Sequence, residues 1–376
     1  MDLALIGRLG MQQLSSHFFE TIYIKSGVDL TRPTEVRASL TTRCNYKCLH
    51  CGCWRESHGP EMSIEQWKNG LASVKEFIGR YRIQFAGGEP FVKKGFLDLL
   101  EFCRAEAIDF GVITNGSAFT NDRIVARFVS ALPMKVEISV DGPTPEIHDR
   151  LRGVPGSLEA IEAGIRNLRR ARREAGASFP IRIKPTLNSV NFRAMPDLVN
   201  WAVDQGATSI DIEPNREWTD ESKAELWLSP EETVELESIV TELLRMKADG
   251  LPIETSEHRL LSMPDHFRRR KVASEVGVCR IGLRVFSINP RGAVTSCFAH
   301  LPLGDLTRQS AREIWTEAAA REVRRRTVAC DRGCPYGCLS SKPIVHTIKR
   351  GLMVFAGKAN HDDGPTTTAK PAGLPA

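Results

Sequence analysis

Short runs of β-branched residues alternate with longer amphipathic stretches from Val36 onward. Such alternation is typical of repeated strand–helix units around a parallel sheet. The pattern predicts strands at 36–41, 82–86, 109–113, 136–140, 181–187 and 208–213. It predicts helices between them at 64–79, 95–106, 121–130, 157–175 and 193–204. These six repeats indicate an α/β fold with a partial (β/α)6 barrel of the TIM type.

The alternation ends after a helical connector, and the pattern changes from residue 279 onward. The segment "CRIGLRVFSINPRGAVTSC" predicts a β-hairpin that turns at "NPRG" and brings two cysteines together. A helix-like stretch and the segment "CDRGCPYGC" follow the hairpin. The sequence therefore predicts a small second domain after the barrel.

These changes of pattern predict the limits of each part of the chain. The predicted parts are an N-terminal lead at 1–35, the partial barrel at 36–228, the helical connector at 229–278, the second domain at 279–345 and a C-terminal tail at 346–376. From about residue 357 the tail is poor in large apolar residues and rich in Gly, Pro and Thr. We therefore expect the tail to be largely disordered.

Composition and charge exclude several classes of protein. The 376 residues are 41% hydrophobic and 26% charged, and no segment approaches the roughly 18 uninterrupted apolar residues that a membrane span needs. The N-terminus lacks the basic start and apolar centre of a secretory signal, so we expect a cytoplasmic protein whose ten cysteines stay reduced. The net charge of +5 is mild, and the basic runs lack interleaved aromatic residues, which argues against a nucleic-acid partner.

The most unusual motifs follow predicted strands directly. A four-cysteine segment follows the first strand, "GGEP" the second, "TNG" the third and "SVDGP" the fourth. In barrels of this type the loops at the carboxyl ends of the strands carry the functional site. We therefore expect these motifs to meet at one rim of the barrel.

The segment "CNYKCLHCGCW" contains three cysteines, Cys44, Cys48 and Cys51, separated by three and then two residues. A structural zinc site normally needs four ligands, which only His50 or Cys53 would complete here. A cluster of four irons also takes thiolates, and with three of them one iron keeps an open coordination position. The cysteine spacing by itself leaves both kinds of site open.

The three-cysteine loop, together with "GGEP" after the second predicted strand, resembles the radical S-adenosylmethionine (radical SAM) superfamily. The resemblance spans roughly residues 36 to 340. It implies that Cys44, Cys48 and Cys51 hold a [4Fe–4S] cluster whose open iron takes the methionyl amine and carboxylate of SAM. It also implies that Cys53 is not a ligand.

The same resemblance implies which residues bind SAM. In the family the "GGEP" turn binds the methionine amino group, and here two glycines allow close backbone approach while Glu89 is an acceptor for an ammonium. Ser139 suits a ribose hydroxyl, Arg152 suits a carboxylate, and Asn115 lies in a third motif of the rim. No catalytic acid or base is identified. The predicted cofactor-binding residues are Gly87, Gly88, Glu89, Pro90, Asn115, Ser139 and Arg152.

The second predicted domain resembles the auxiliary-cluster extension called SPASM, or twitch in its short form. Its five cysteines exceed by one the number that a fully ligated four-iron cluster needs, so we expect one auxiliary [4Fe–4S] cluster. Cys279 and Cys297 are the first two expected ligands and Cys338 is the third. Cys334 and Cys330 are alternatives for the fourth place. A zinc ribbon is the alternative site, because four thiolates suit Zn²⁺ equally well.

By this resemblance, the protein is an oxidoreductase that reductively cleaves SAM to a 5′-deoxyadenosyl radical, which removes hydrogen from a substrate carbon. A reducing partner such as flavodoxin or ferredoxin would supply the electron. We expect oxidation (dehydrogenation) or epimerisation of a small natural-product or sugar-type metabolite, because an N-terminal lead of about 40 residues is too short for a peptide-recognition domain. The alternative is a maturase that modifies a ribosomally made precursor peptide or protein. A non-catalytic zinc or cluster scaffold is the remote alternative.

Overall fold

The computed structural model describes residues 3–56, 59–218, 224–272, 278–297, 299–330 and 334. The helices are α1 (Leu3–Ser26), α2 (Ile64–Ile78), α3 (Phe96–Ala105), α4 (Asp122–Ser130), α5 (Pro145–Arg152), α6 (Ser157–Glu174), α7 (Met195–Asp204), α8 (Pro230–Ala248), α9 (Glu257–Phe267), α10 (Ile281–Arg284), α11 (Ala311–Thr316) and α12 (Ala318–Val328). The strands are β1 (Glu35–Ser39), β2 (Arg82–Ala86), β3 (Asp109–Thr114), β4 (Lys135–Ile138), β5 (Ile181–Ile183), β6 (Thr186–Leu187), β7 (Ser209–Ile210), β8 (Glu213–Pro214), β9 (Val285–Ile288), β10 (Ala293–Thr295) and β11 (Gly304–Asp305). None of these helices is both long enough and apolar enough to cross a membrane.

Nine of the described strands form one sheet in the order β11-β10-β9-β1-β2-β3-β4-β5-β7. From β9 to β7 all neighbouring strands run parallel, and helices connect successive strands of the barrel from β1 to β7. The predicted α/β fold, a partial barrel followed by a domain with a β-hairpin, is confirmed. The domain boundaries stay predictions, and the predicted tail at 346–376 lies outside the described residues.

The hairpin of the second domain extends the barrel sheet. Strand β9 pairs in parallel with β1, so that Val36 lies opposite Phe286. The chain then turns into the antiparallel strand β10, where the backbone N–H of Asn289 donates to the carbonyl of Ala293 at 2.9 Å. Gly292 adopts a φ of 96° in this turn, a conformation that favours glycine. The two predicted domains therefore share one sheet, which the sequence pattern did not indicate.

The last two predicted barrel strands are each broken into two short pieces. The predicted strand 181–187 is observed as β5 and β6, and 208–213 as β7 and β8. Pro185 lies between β5 and β6 and has no backbone N–H to continue the ladder. As a result β6 leaves the main sheet and pairs with β8 in a separate two-stranded sheet.

Helix α2 shows how local sequence and packing act together. The Ser63 hydroxyl accepts a hydrogen bond from the Gln66 backbone N–H at 3.2 Å, and the Gln66 side chain accepts from the Ser63 N–H at 2.8 Å. This reciprocal cap satisfies two backbone donors at the start of the helix. Trp67, Leu71 and Val74 follow at helical spacing and are fully buried in the main core.

Helix α1 is anchored to the second domain by a buried carboxylate. Glu20 is fully buried, and its Oε2 lies 2.9 Å from Nη1 of Arg280. Arg284 Nε approaches the other oxygen at 2.5 Å. Arg280 directly follows Cys279, one of the predicted cluster ligands. The predicted N-terminal lead is thus a helix that packs beside a cysteine of the second domain.

We expect the substitution Glu20→Gln to lower the free energy of unfolding by roughly 2–3 kcal/mol, because two arginines would lose their shared carboxylate while remaining partly exposed. Urea unfolding of the reconstituted protein measures this change. Glu65→Gln is the matched control, since Glu65 is exposed and pairs with Lys68 alone at 2.7 Å, so a change within about 0.5 kcal/mol is expected. Equal unfolding midpoints for the two variants would contradict the proposed anchor.

Candidate functional site

The three-cysteine loop leaves the carboxyl end of β1 as a compact turn. Cys48 is buried, Cys44 and Cys51 are half-buried, and all three thiols are outside disulfides. The backbone N–H of Cys51 donates to the carbonyl of Cys48 at 3.2 Å. The neighbouring Cys53 thiol lowers the pKa of Cys51 to about 7, against the opposite effect of burial. Local hydrogen bonds thus hold the three predicted ligands on one short loop.

The "GGEP" turn lies directly against the three-cysteine loop. The Gly88 N–H donates to the carbonyl of Thr41 at 2.7 Å, and the Glu89 N–H donates to the carbonyl of Arg43 at 2.9 Å. A Cβ on Gly88 would lie 2.1 Å from the Arg43 carbonyl oxygen. Gly87 has a φ of 120°, which side chains rarely adopt. The glycines thus allow close approach of the turn to the backbone that leads into the cysteine loop. Their predicted approach to a ligand stays a prediction.

Glu89 joins the ends of β2 and β3. Its carboxylate is buried and accepts hydrogen bonds from the Thr114 hydroxyl at 2.8 Å and from the Asn115 N–H at 2.7 Å. Burial raises the pKa of Glu89 to about 7, while these hydrogen bonds act in the opposite direction. The Asn115 side chain in turn donates to Oδ1 of Asn45, within the cysteine loop, at 2.8 Å. The predicted residues Glu89 and Asn115 are thus hydrogen-bonded to each other, and Asn115 connects them to that loop.

Arg152 lies behind the cysteine loop. It is buried, with Nε 2.8 Å from Oδ2 of Asp141 and Nη1 3.8 Å from Sγ of Cys48. Burial opposes ionisation of Asp141, but the adjacent Arg152 keeps the pKa of that carboxyl below its usual value. The guanidinium therefore stays charged next to a thiol. It provides a positive charge where thiolates and a carboxylate ligand would concentrate negative charge.

Asp141 contacts a group of buried residues to which the sequence analysis gave no role. Its backbone N–H donates to Nδ1 of His148 at 3.2 Å, and its Oδ1 accepts from the Thr186 N–H at 2.9 Å. Nδ1 of His50 lies 3.8 Å from the other carboxylate oxygen. Burial lowers the pKa of both histidines to about 4, so both are neutral near pH 7. The predicted residue Ser139 is half-buried at the same rim, and its N–H donates to the Thr114 carbonyl at 3.0 Å.

The second set of cysteines gathers around a small apolar pair. Cys279, Cys297 and Cys334 pack against the buried residues Ile281 and Val285. Cys330 follows the last turn of α12 and is half-buried. The remaining predicted ligand, Cys338, lies outside the described residues.

One large cavity joins the two sets of cysteines. Its volume is about 1460 Å³, and its wall includes His50 and Cys53 of the first loop and Cys297 of the second domain. Inward-facing side chains of the barrel strands, together with Arg259 of α9, line its central part, which we call the lumen. The lumen is charged, unlike the packed apolar interior of a complete barrel.

Four lumen residues form what we call the ion-pair ring. Nζ of Lys184 lies 2.9 Å from Glu213 and 3.4 Å from Asp211, and Arg259 pairs with the same two carboxylates. The sequence analysis did not predict this ring. A signal was present, since the segments "KVEI", "IRIK" and "DIE" place charges at every second strand position. A parallel strand covered on both faces is apolar throughout, so this alternation indicates a polar lumen.

Both sets of cysteines fit the clusters that the resemblance implies. The first loop offers three soft donors beside a guanidinium and next to an open cavity, which suits a [4Fe–4S] cluster with a position for SAM. The second set brings three thiols of the described residues to one apolar site. When bound, the first cluster supplies the electron that cleaves SAM.

We expect Cys48→Ala to lower the iron content of the anaerobically reconstituted protein by about four atoms per chain, because the first cluster would lose one of three ligands. Cys53→Ala is the matched control in the same loop and should leave the iron content unchanged. Iron and sulfide analysis measures both. A loss of iron in the Cys53 variant equal to that in the Cys48 variant would contradict the predicted ligand set.

We also expect Gly88→Ala to reduce occupancy of the first cluster to less than half, since the new methyl group would displace the Arg43 carbonyl and with it the cysteine loop. Gly164→Ala is the control, because its Cβ would meet Phe119 at 3.1 Å, away from the loop. Visible absorption measures the occupancy of the cluster, and the melting temperature measures the stability of the fold. Together they separate loss of the cluster from general destabilisation. Full cluster absorption in the Gly88 variant would show that the close contact is dispensable.

Comparisons with known proteins agree with this geometry. A model of the radical SAM superfamily matches residues 38–182, and a model of SPASM, an iron–sulfur cluster-binding domain, matches residues 279–338. The SPASM match favours an iron–sulfur cluster over a zinc ribbon at the second set of cysteines. Both models fall on the two parts of the chain that carry the cysteines.

Several relatives and one solved structure are similar to this chain. The AdoMet-dependent heme synthase of Methanosarcina barkeri is 28% identical over 182 residues. The match covers 48% of this chain and 50% of the synthase, so this chain spans about half the length of that relative. The PqqA peptide cyclase of Bradyrhizobium diazoefficiens is 23% identical over 77% of this chain and 74% of its own. The mycofactocin maturase MftC of Mycobacterium tuberculosis is 25% identical over 83% of this chain and 80% of its own. The crystal structure of Streptococcus suis SuiB bound to precursor peptide SuiA has a TM-score of 0.64 at 15% identity, covering 87% of this chain and 75% of that one.

The three-cysteine loop and the "GGEP" turn lie within the radical SAM match, and the second set of cysteines lies within the SPASM match. The cofactors are accordingly SAM, a [4Fe–4S] cluster and auxiliary iron–sulfur cluster binding by the second domain. Residues 38–182 of the chain therefore form a radical SAM domain, and residues 279–338 form a C-terminal SPASM iron–sulfur cluster-binding domain.

Proposed function

We propose that this radical SAM enzyme modifies a ribosomally made peptide by removing hydrogen from a carbon of one of its residues. The observation that carries the proposal is the cavity, which reaches from the first cysteine loop to Cys297 of the second domain. Its volume of about 1460 Å³ exceeds the roughly 300–1,000 Å³ of typical small-molecule sites, and it has to hold SAM as well as the substrate. The space beyond SAM would take one residue of a peptide, with the neighbouring residues at the edge of the cavity.

The relatives support the same substrate class. The PqqA peptide cyclase and the mycofactocin maturase match this chain over 77% and 83% of its length, and the name of the cyclase describes action on a peptide. The sequence analysis placed a small metabolite first and a peptide second. The relatives support the peptide alternative better.

The edge of the cavity has apolar residues suited to a peptide. Trp218 and Leu261 line the cavity and are 53% and 60% exposed. Large apolar side chains that remain exposed around a pocket often mark a binding surface. In contrast, the lumen below is charged. The cavity thus offers apolar contacts for flanking residues and polar contacts for the residue that enters the lumen.

The chain's own residues would position the reactants. Arg152 offers a charged fork beside Cys48 for the SAM carboxylate, and its pairing with Asp141 restricts the orientation of that fork. The backbone hydrogen bonds from Gly88 and Glu89 hold the cysteine loop in place. Ser139 stays the predicted partner of the ribose. These residues would hold SAM beside the cavity, and such positioning is the contribution that a protein makes to cofactor chemistry.

We further propose that the net reaction is an oxidation. The second domain has five cysteines, enough to ligate one four-iron cluster completely. A fully ligated cluster has no open iron for the substrate and is suited to accept an electron from it. A flavodoxin or ferredoxin as reducing partner and a cytoplasmic location stay predictions.

The proposal is tested by incubating the anaerobically reconstituted enzyme with SAM, dithionite and synthetic peptides encoded beside its gene. We expect one peptide to change in mass, in step with 5′-deoxyadenosine formation. The Cys48→Ala variant is the control and should form neither product. Turnover of a polar metabolite with every peptide left unchanged would overturn the peptide assignment, while 5′-deoxyadenosine formation would still support the radical chemistry.

A further inference from the structure

One buried hydroxyl of the second domain has no hydrogen-bond partner. The Ser296 side chain is 2% exposed, and its Oγ makes no hydrogen bond to the residues that the structure describes. Every other buried serine or threonine hydroxyl of the described residues has a partner. Thr233, for example, donates to the carbonyl of Ser229 at 2.8 Å, and Thr255 donates to Asp211 at 3.2 Å. Because a buried hydroxyl without a partner is destabilising, Ser296 indicates an acceptor that the described residues do not supply.

A second buried polar atom without a partner lies close to Ser296 in the sequence. Nε2 of His300 is buried and makes no hydrogen bond within the described part of the chain. The backbone N–H of His300 donates to the carbonyl of Cys297 at 3.3 Å, so the chain turns tightly between these two residues. Ser296 and His300 thus lie on either side of one predicted cluster ligand in the sequence.

The backbone explains why Ser296 and Cys297 share one space. In an extended strand, consecutive side chains point to opposite faces of the sheet. Strand β10 ends at Thr295, however, and the chain bends at Ser296. Ser296 and Cys297 consequently both line the cavity. The hydroxyl therefore lies beside a cysteine at which the auxiliary cluster would bind.

The sulfur of Cys297 already accepts one hydrogen bond. The backbone N–H of Ala299 donates to Sγ of Cys297 at 3.5 Å. The same cysteine packs against Ile281 and Val285, which are apolar and have no side-chain donors. In an iron–sulfur cluster the sulfur atoms accept hydrogen bonds, and these bonds help to set the reduction potential of the cluster. The cluster would thus supply the acceptors that Ser296 and His300 need.

We propose that Ser296 and His300 donate hydrogen bonds to sulfur atoms of the auxiliary cluster and thereby raise its reduction potential. Reduction makes the cluster more negative, and a hydrogen-bond donor stabilises the more negative state more strongly. A higher potential favours the oxidation step, in which the substrate radical loses one electron to the cluster and one proton to water. The inference deepens the proposed oxidation, on which it rests for the role of the cluster as electron acceptor.

The test is a redox titration of the anaerobically reconstituted full-length protein, followed by EPR spectroscopy. The Cys48→Ala variant, which should keep only the auxiliary cluster, identifies the signal of that cluster. We expect Ser296→Ala to make the potential more negative by about 59 mV, which corresponds to an about tenfold change in the equilibrium of one-electron reduction. Ser296→Thr keeps the hydroxyl and should retain most of the original potential.

His300→Phe should shift the potential in the same direction, whereas His300→Gln keeps an N–H donor and should shift it less. Thr295→Val is the matched control, because it removes a neighbouring hydroxyl that also lines the cavity and preserves the shape of the side chain. An unchanged potential in Ser296→Ala or His300→Phe would reject that residue as a donor. An equal shift in Thr295→Val would overturn the whole proposal.

Two further outcomes concern retention of the cluster. Loss of about four iron atoms in His300→Phe, with the cluster also lost in His300→Gln, would show that His300 is a ligand and would overturn its role as a donor. Should the substituted proteins lose the cluster for lack of stability, the unsubstituted protein labelled with ¹⁵N-histidine takes their place. A weak ¹⁵N coupling in the pulsed EPR spectrum of the reduced auxiliary cluster is expected, and the absence of any coupling would reject the hydrogen bond from His300.

Failure of this inference is distinguishable from failure of the proposed function. Modification of a peptide, together with potentials that the substitutions leave unchanged, would reject the two donors and leave the peptide function standing. Lowered potentials in the variants, with no peptide modified by the unsubstituted enzyme, would support the donors and count against the peptide function.

Discussion

The close backbone contact between the "GGEP" turn and the three-cysteine loop is the constraint on which the rest of the site depends. Two backbone hydrogen bonds, from Gly88 and Glu89 to the carbonyls of Thr41 and Arg43, join the ends of β1 and β2. The contact leaves no room for a side chain at Gly88. Glu89 then extends the connection to β3 through Thr114 and the following amide. Three neighbouring strand ends therefore hold the cysteine loop as a single unit.

Charge is organised around this unit in two different ways. Behind the cysteine loop, Arg152 and Asp141 form a buried pair whose guanidinium also reaches Cys48. Buried charges are tolerated only when they are paired and hydrogen-bonded, which Asp141 achieves through Thr186. In the lumen, charged side chains line a cavity large enough for a substrate. The first group places a positive charge beside a predicted cluster ligand, while the second places charges of both signs around the space that we propose for the substrate.

The N-terminal segment connects the barrel with the second domain. Besides the buried Glu20, the Trp315 indole donates to the carbonyl of Thr31 at 2.9 Å, and Arg324 pairs with Asp29. Together with the parallel pairing of β9 and β1, these contacts hold Cys279 and Cys297 at the edge of the barrel. Cys297 consequently lines the same cavity as Cys53 of the first loop.

The sequence by itself determined the order of strands and helices, the hairpin at "NPRG", and the cysteine loop followed by "GGEP", because each is encoded by a local pattern of neighbouring residues. Only the tertiary structure decided that Glu89 braces β3, that Arg152 lies beside Cys48, that His148 is buried and that Glu20 binds the second domain. The tertiary structure also decided which charges pair in the ion-pair ring, although the alternating charges in the strand sequences indicated a polar lumen. These contacts join side chains that are distant along the chain, for example Arg152 and Cys48 at a separation of 104 residues. Their geometry follows from the twist and register of the sheet, which no local pattern specifies.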